Sequence, residues 1–305
     1  MQQIEENGKK IAKPWKVLVV DPDNDAHVIA RMTLQNIVFK GRKLEVMGAF
    51  NSIEARQMIA FHADLAVIFI DAMIEGFNYG YELVRFIRSD LKNEAVRLVM
   101  QSRDEQSLPE TQAVLQYEIN GYHKHANIAN QQLFSIVITQ LRAFCEMRST
   151  LATKRGLEII AGISRKMLYL DSIDGFFRAS LEGLAQLVYI ERAGYYMPLS
   201  AFAIAGEKAN QSVVAGLGSF EQMKYKSPSE FAPPALLELI ESANDSRAHK
   251  LESDYVVLVI DPIKYPPCFL AFVPMRDLND WEKWTFTIYA SNLSAIYRGL
   301  IASAP

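Results

Sequence analysis

The chain has 305 residues and a formal charge of −3, from 32 Lys and Arg against 35 Asp and Glu. A single core rarely grows past roughly 250 to 300 residues, so two domains are expected. Half of the residues are hydrophobic and 22% are charged, which excludes wholesale disorder, and the slight acidity removes the electrostatic case for nucleic acid as a main partner.

Residues 1–14 form a polar N-terminal tail with no apolar secretion core, and no apolar run approaches the ~18 residues of a membrane span. Cys145 and Cys268 are the only cysteines and match neither a disulfide framework nor a zinc cluster. A cytoplasmic protein with no membrane contact is the expectation.

From Trp15 to Arg148, short apolar runs alternate with helical periodicity. The runs Val17–Val20, Leu44–Phe50, Ala66–Ile70, Arg97–Met100 and Ile119–Tyr122 read as strands covered on both faces. Helical patterns fill the intervals at Ala26–Val38, Ser52–Phe61, Tyr79–Asp90 and Glu110–Tyr117, with a last helix starting near Asn130. This alternation predicts an α/β fold with a doubly wound five-stranded parallel sheet of order 2-1-3-4-5, its site at the carboxyl ends of the strands. The last helix has no clear stop before Tyr169, and Leu133, Val137, Leu141, Phe144 and Leu151 mark one apolar face. That face either docks on the second domain or, as the rival, forms a dimeric coiled coil.

After Asp171 the pattern changes to a helix over Ile173–Tyr189 and strand-like runs at Tyr195–Gly206, Ser212–Phe220, Tyr255–Asp261 and Cys268–Pro274. A closing helix over Trp281–Ile301 completes an α+β domain with an antiparallel sheet. Tyr225–Pro234, with three prolines, reads as a flexible edge or lid, and Lys40-Gly-Arg-Lys43 as a solvated turn.

Three residues at strand ends converge in the predicted sheet. Asp21 follows the first run, Asp71 the third, and Ser102 lies just past the fourth, making an acidic pocket. With Lys16-Val-Leu-Val-Val-Asp21, Ala66-Val-Ile-Phe-Ile-Asp71, Ser102, and Tyr122 three residues before His125, the stretch 15–148 resembles the receiver domain of two-component response regulators.

That resemblance implies Asp71 as phosphoacceptor, Mg²⁺ held by Asp21, Asp71 and the backbone carbonyl of Met73, and Ser102, Tyr122 and His125 at the phosphoryl-contact and switch positions. The chemistry calls for a carboxylate nucleophile, a bridging divalent cation and fixed donors. Two departures weaken it. The acidic pair reads Asp21-Pro22, with Asp23 one residue too far along, so Mg²⁺ binding is expected to be weak or absent. His125 stands at the lysine position and is mostly neutral at pH 7, so a constant positive charge is lost. Lys124 should point to the other face of its strand. The expectation is a degenerate receiver working through protein contacts, and genuine Asp71 phosphorylation is the rival.

Lys13-Pro-Trp-Lys16, Tyr79-Gly-Tyr-Glu-Leu-Val-Arg-Phe-Ile-Arg88, Arg155-Gly-Leu-Glu158 and Ala290-Ser-Asn-Leu-Ser294 are similar to bacterial regulators in which a GAF-like middle domain follows the receiver. Residues 149–305 are accordingly expected to be a GAF-like sensory or dimerisation domain, joined by the long helix. A third module, often an HD-GYP cyclic-di-GMP phosphodiesterase, is usual in such regulators, and none is expected to follow the closing helix. The expected protein is therefore not an enzyme. Its partner is a histidine kinase or a downstream signalling protein, with a homodimer possible. The alternative is the regulatory part of a longer cyclic-di-GMP phosphodiesterase or kinase. Signal transfer is expected through the face of the fourth helix, fifth strand and fifth helix near Leu115, Tyr122 and Phe134.

Tyr195, Phe202, Phe231 and Tyr255 could line a small-ligand pocket, although strand aromatics more often pack the core. His123 and His125 have HxH spacing, set aside as a metal site. A flavin carrier is disfavoured because Asp21-Pro-Asp-Asn-Asp25 would repel an anion.

Overall fold

The computed structural model describes residues 13–102, 110–124, 130–170, 172–188, 199–274 and 277–302. The chain divides into two compact units, Met1–Arg148 and Ser149–Pro305.

In the first unit β1 (Trp15–Val20) leads into α1 (Asn24–Leu34). The Asp23 side chain caps this helix by accepting from the Asp25 amide at 3.0 Å, satisfying a donor that the helix start leaves orphaned. The helix expected over Ala26–Val38 stops at Leu34, and β2 (Val38–Phe39) pairs antiparallel with the start of β3 (Arg42–Ala49). Lys40 and Gly41 both have positive φ, 47° and 72°, the backbone that a two-residue hairpin demands. The basic tetrapeptide is thus a hairpin turn. Arg42 lies over the Trp15 ring at 3.5 Å, and the Trp15 indole donates to the Phe39 carbonyl at 2.9 Å.

α2 (Ser52–Phe61), β4 (Leu65–Asp71), α3 (Tyr79–Arg85), β5 (Arg97–Ser102), α4 (Glu110–Tyr117) and β6 (Gly121–Lys124) follow. One wider helical turn, Phe86–Asp90, extends α3. The sheet order is β2-β3-β1-β4-β5-β6, so its five parallel strands follow the expected order and β2 adds an antiparallel edge. β4 and β5 are buried at every position, which is why they read as continuous apolar runs instead of alternating ones. Leu18, Ile68 and Leu98 pack toward one face, and Val17, Phe69 and Val99 toward the other.

α5 (Asn130–Met167) is one helix of 38 residues. Leu133, Val137, Leu141 and Phe144 are buried in the core of the first unit. This stripe therefore docks on the receiver-like sheet, neither on the second domain nor in a coiled coil. Ile160, Ile163 and Met167 join the core of the second unit.

The second unit continues with α6 (Ile173–Val188), β7 (Ala201–Ala205), β8 (Ser212–Leu217), α7 (Pro234–Ser246), β9 (Lys250–Leu251), β10 (Val256–Ile260), β11 (Cys268–Phe272) and α8 (Asp280–Ala302). Its antiparallel sheet runs β8-β7-β11-β10-β9. α6, α8 and the end of α5 cover one face around Phe177, Leu258, Leu270 and Phe286, and α7 covers the other through Leu236, Ile240 and Ala243. α7 was not foreseen. Proline at its first turn is well placed for a helix start, and Pro233-Pro234 had drawn attention to the loop instead. Cys268 sits in the central strand β11 with 2% exposure, and burial pushes its thiol up to about 11 despite a hydrogen bond with Tyr297.

Candidate functional site

Register places the pocket. Val20 pairs with Ile70 across β1 and β4, Asp71 with Gln101 across β4 and β5, and Ser102 with Lys124 across β5 and β6. Asp21 and Asp71 therefore end neighbouring strands, and Ser102 ends the next one. All three are buried, at 0%, 4% and 3% exposure. His125 lies outside the described residues.

Each carboxylate is tied to the loop that follows it. Asp21 Oδ1 accepts the Asp23 amide at 2.8 Å and Asp71 Oδ1 accepts the Met73 amide at 2.9 Å, fixing both side chains at the mouths of their loops. The Asp21 and Ala72 amides donate across strand ends to Ala49 and Gln101, at 3.1 and 2.8 Å. Pro22 offers no side-chain donor to a cation, and the Asp23 carboxylate, the nearest substitute, is engaged in capping α1. Pro22 thus removes one carboxylate from the loop, and the oxygens left to a cation are those of Asp21, Asp71 and a backbone carbonyl, with water completing the octahedron.

Two residues here had no role in the sequence reading. His27 is 3% exposed, and its Nε2–H donates to the Asp21 carbonyl at 2.8 Å. Its ring lies 4.2 Å from that of Phe50. That bond fixes the tautomer and leaves Nδ1 buried with no hydrogen-bond partner among the described residues. Gly80 is the other: a Cβ there would stand 2.2 Å from the Asp71 carbonyl oxygen, so only glycine lets α3 approach the end of β4. A glycine inside a helical pattern was the available signal for Gly80. For His27 a lone histidine in a helix carried none.

Tyr122 is buried, and shares a cluster with Tyr81 and Tyr117. The Tyr81 and Tyr117 rings are 4.7 Å apart. Burial, with the neighbouring phenols Tyr122 and Tyr117, pushes the Tyr81 hydroxyl up to about 12. Leu115 is 85% exposed and Phe134 46%, so these two residues of the expected signalling face present apolar surface.

Of the aromatics considered for a ligand pocket, Phe202 is fully buried, and the Phe202, Phe220 and Phe231 rings pack on one another at 4.8 to 5.6 Å. These three rings form a core beneath α7. Tyr255 is half-buried beside them, and Tyr195 lies outside the described residues.

The family described as "Domain of unknown function (DUF3369)" matches residues 137–302. The chain is 25% identical over 288 residues to the 3'3'-cGAMP-specific phosphodiesterase 2 of Vibrio cholerae serotype O1, covering 94% of this chain and 55% of that protein. It therefore spans about half the length of this curated relative. Similar solved structures include the signal receiver domain of an HD domain-containing protein from Pseudomonas fluorescens, at 15% identity and TM-score 0.38, covering 47% of this chain and 98% of that one. The response regulator receiver domain protein from Clostridium thermocellum is another, at 16% identity and TM-score 0.36, with coverages of 44% and 97%. The response regulator domain of Thermotoga maritima CheB matches at 21% identity and TM-score 0.34, covering 43% and 96%. Among the described residues no helix is long and apolar enough to cross a membrane.

Proposed function

The chain belongs to the DUF3369 family, and from that premise we propose that it is a response-regulator-like signalling protein of the cytoplasm with impaired or absent phosphorylation at Asp71. It carries its signal through contacts with a partner protein, a histidine kinase or a downstream component, and does no chemistry of its own. The observation that carries this reading is the state of the acidic loop: Pro22 occupies the second acidic position, and Asp23 is committed to the first turn of α1. Without a well-held cation, charge developing on a transferring phosphoryl group is poorly compensated, and the exchange of lysine for His125 removes a second fixed charge. The second unit, an antiparallel sheet with helices on both faces, supports a GAF-like sensory role.

Intact-mass measurement after incubation with acetyl phosphate and Mg²⁺ tests this. The wild-type chain is expected to show no phosphoryl gain, and the Pro22→Asp/His125→Lys variant a gain that disappears when Asp71→Asn is added. A wild-type gain abolished by Asp71→Asn overturns the proposal. A second reading, in which the chain is the regulatory part of a longer phosphodiesterase, is favoured by the match of 94% of its length to about half of the Vibrio cholerae enzyme.

A further inference from the structure

The second half of α5 bears an open groove of about 310 Å³, walled on its far side by Gln186 of α6. Ile159, Gly162 and Ile163 line its floor, and the exposed side chains of Arg155, Glu158 and Lys166 line its rim. Gly162 is a costly choice, since glycine in a helix interior is about 1 kcal/mol less favourable than alanine. Nothing inside the unit calls for it: a Cβ at Gly162 would meet no atom within 4 Å among the described residues. At Gly183 on α6, by contrast, a Cβ would come within 2.4 Å of the Tyr289 hydroxyl. Gly183 serves internal packing, whereas Gly162 keeps a surface open.

The groups around Gly162 are arranged symmetrically along the chain. Glu158 and Lys166 lie four residues to either side of it, and Arg155 and Tyr169 seven. At about 100° per residue Arg155, Glu158 and Lys166 fall within about 40° of Gly162 on one helix face, and Tyr169 follows in the turn just past the helix end. Tyr169 is 82% exposed. Among the described residues, no ion pair engages Arg155, Glu158 or Lys166.

We propose that two copies of this chain pack these α5 faces antiparallel across a two-fold axis at Gly162, forming a homodimer. A two-fold contact must be self-complementary, and this one is: Glu158 of each copy meets Lys166 of the other, and Arg155 meets the face of Tyr169. Two missing β-carbons at the crossing let the backbones approach within the usual 8–10 Å of packed helices, or closer. A parallel arrangement would set each charge against its like, so the antiparallel one is selected.

Light scattering and sedimentation velocity on the full chain, over a hundredfold range of concentration, test the proposal. A dimer is expected for the wild type. Glu158→Lys alone and Lys166→Glu alone each weaken it about tenfold, because each sets like charges together twice. The Glu158→Lys/Lys166→Glu exchange restores it, which no role internal to one copy would produce. Gly162→Leu abolishes the dimer without lowering the thermal midpoint. A wild type monomeric at every concentration, a dimer indifferent to the single reversals, or an exchange that fails to restore association overturns the proposal.

Discussion

His249 shows how one side chain can tie stability to pH. Its Nδ1 accepts the Val259 amide at 3.0 Å, a role open only to the neutral ring, and burial holds its pKa below the ordinary histidine value. The unfolded chain therefore takes up this proton more readily than the folded one. The contribution to stability is complete above about pH 6.5 and is lost as pH falls from there toward the folded value. His249→Asn keeps an acceptor but cannot titrate. Its thermal midpoint should fall less than that of the wild type between neutral and mildly acid buffer. At this same scale the pocket was legible only in part. Asp21, Asp71 and Ser102 announce themselves by standing at the ends of apolar runs, whereas His27 matters through a bond from its ring to the Asp21 carbonyl and Gly80 through the close approach of α3 to β4, contacts that spacing along a chain does not encode.

Among the elements, the wider helical turn after α3 is held by Arg88. Its guanidinium donates to the carbonyls of Asn93 at 2.5 Å and Val96 at 3.0 Å, and to Asn120 Oδ1 at 3.1 Å. One side chain thus ties the end of α3 to the starts of β5 and β6, and desolvation lowers its pKa to about 10. Arg88→Met keeps the aliphatic stem but leaves those acceptors unsatisfied, so it should lower unfolding free energy by about 2 kcal/mol, read from the urea midpoint. β1, β4 and β5 were evident because burial on both faces makes each a short apolar block. The hairpin of β2 and β3 was not, because Ala26–Val38 keeps a helical period beyond the true helix end at Leu34 and into the first residue of β2. α7 was hidden by its own prolines, which start the helix where they were read as interrupting structure.

The molecule as a whole carries two cysteines, and each unit holds one. Cys145 is half-buried on α5 within the first unit, and Cys268 is buried in the central strand of the second. A buried thiol with a raised pKa is nearly inert to electrophiles until its surroundings open. With an aromatic disulfide reagent in native buffer, labelling should show a faster phase lost in Cys145→Ala and a slower one lost in Cys268→Ala. The protein thereby contains a pair of chemical clocks, one per unit, and the slower one times the rare breathing of the second sheet without any added dye or tag.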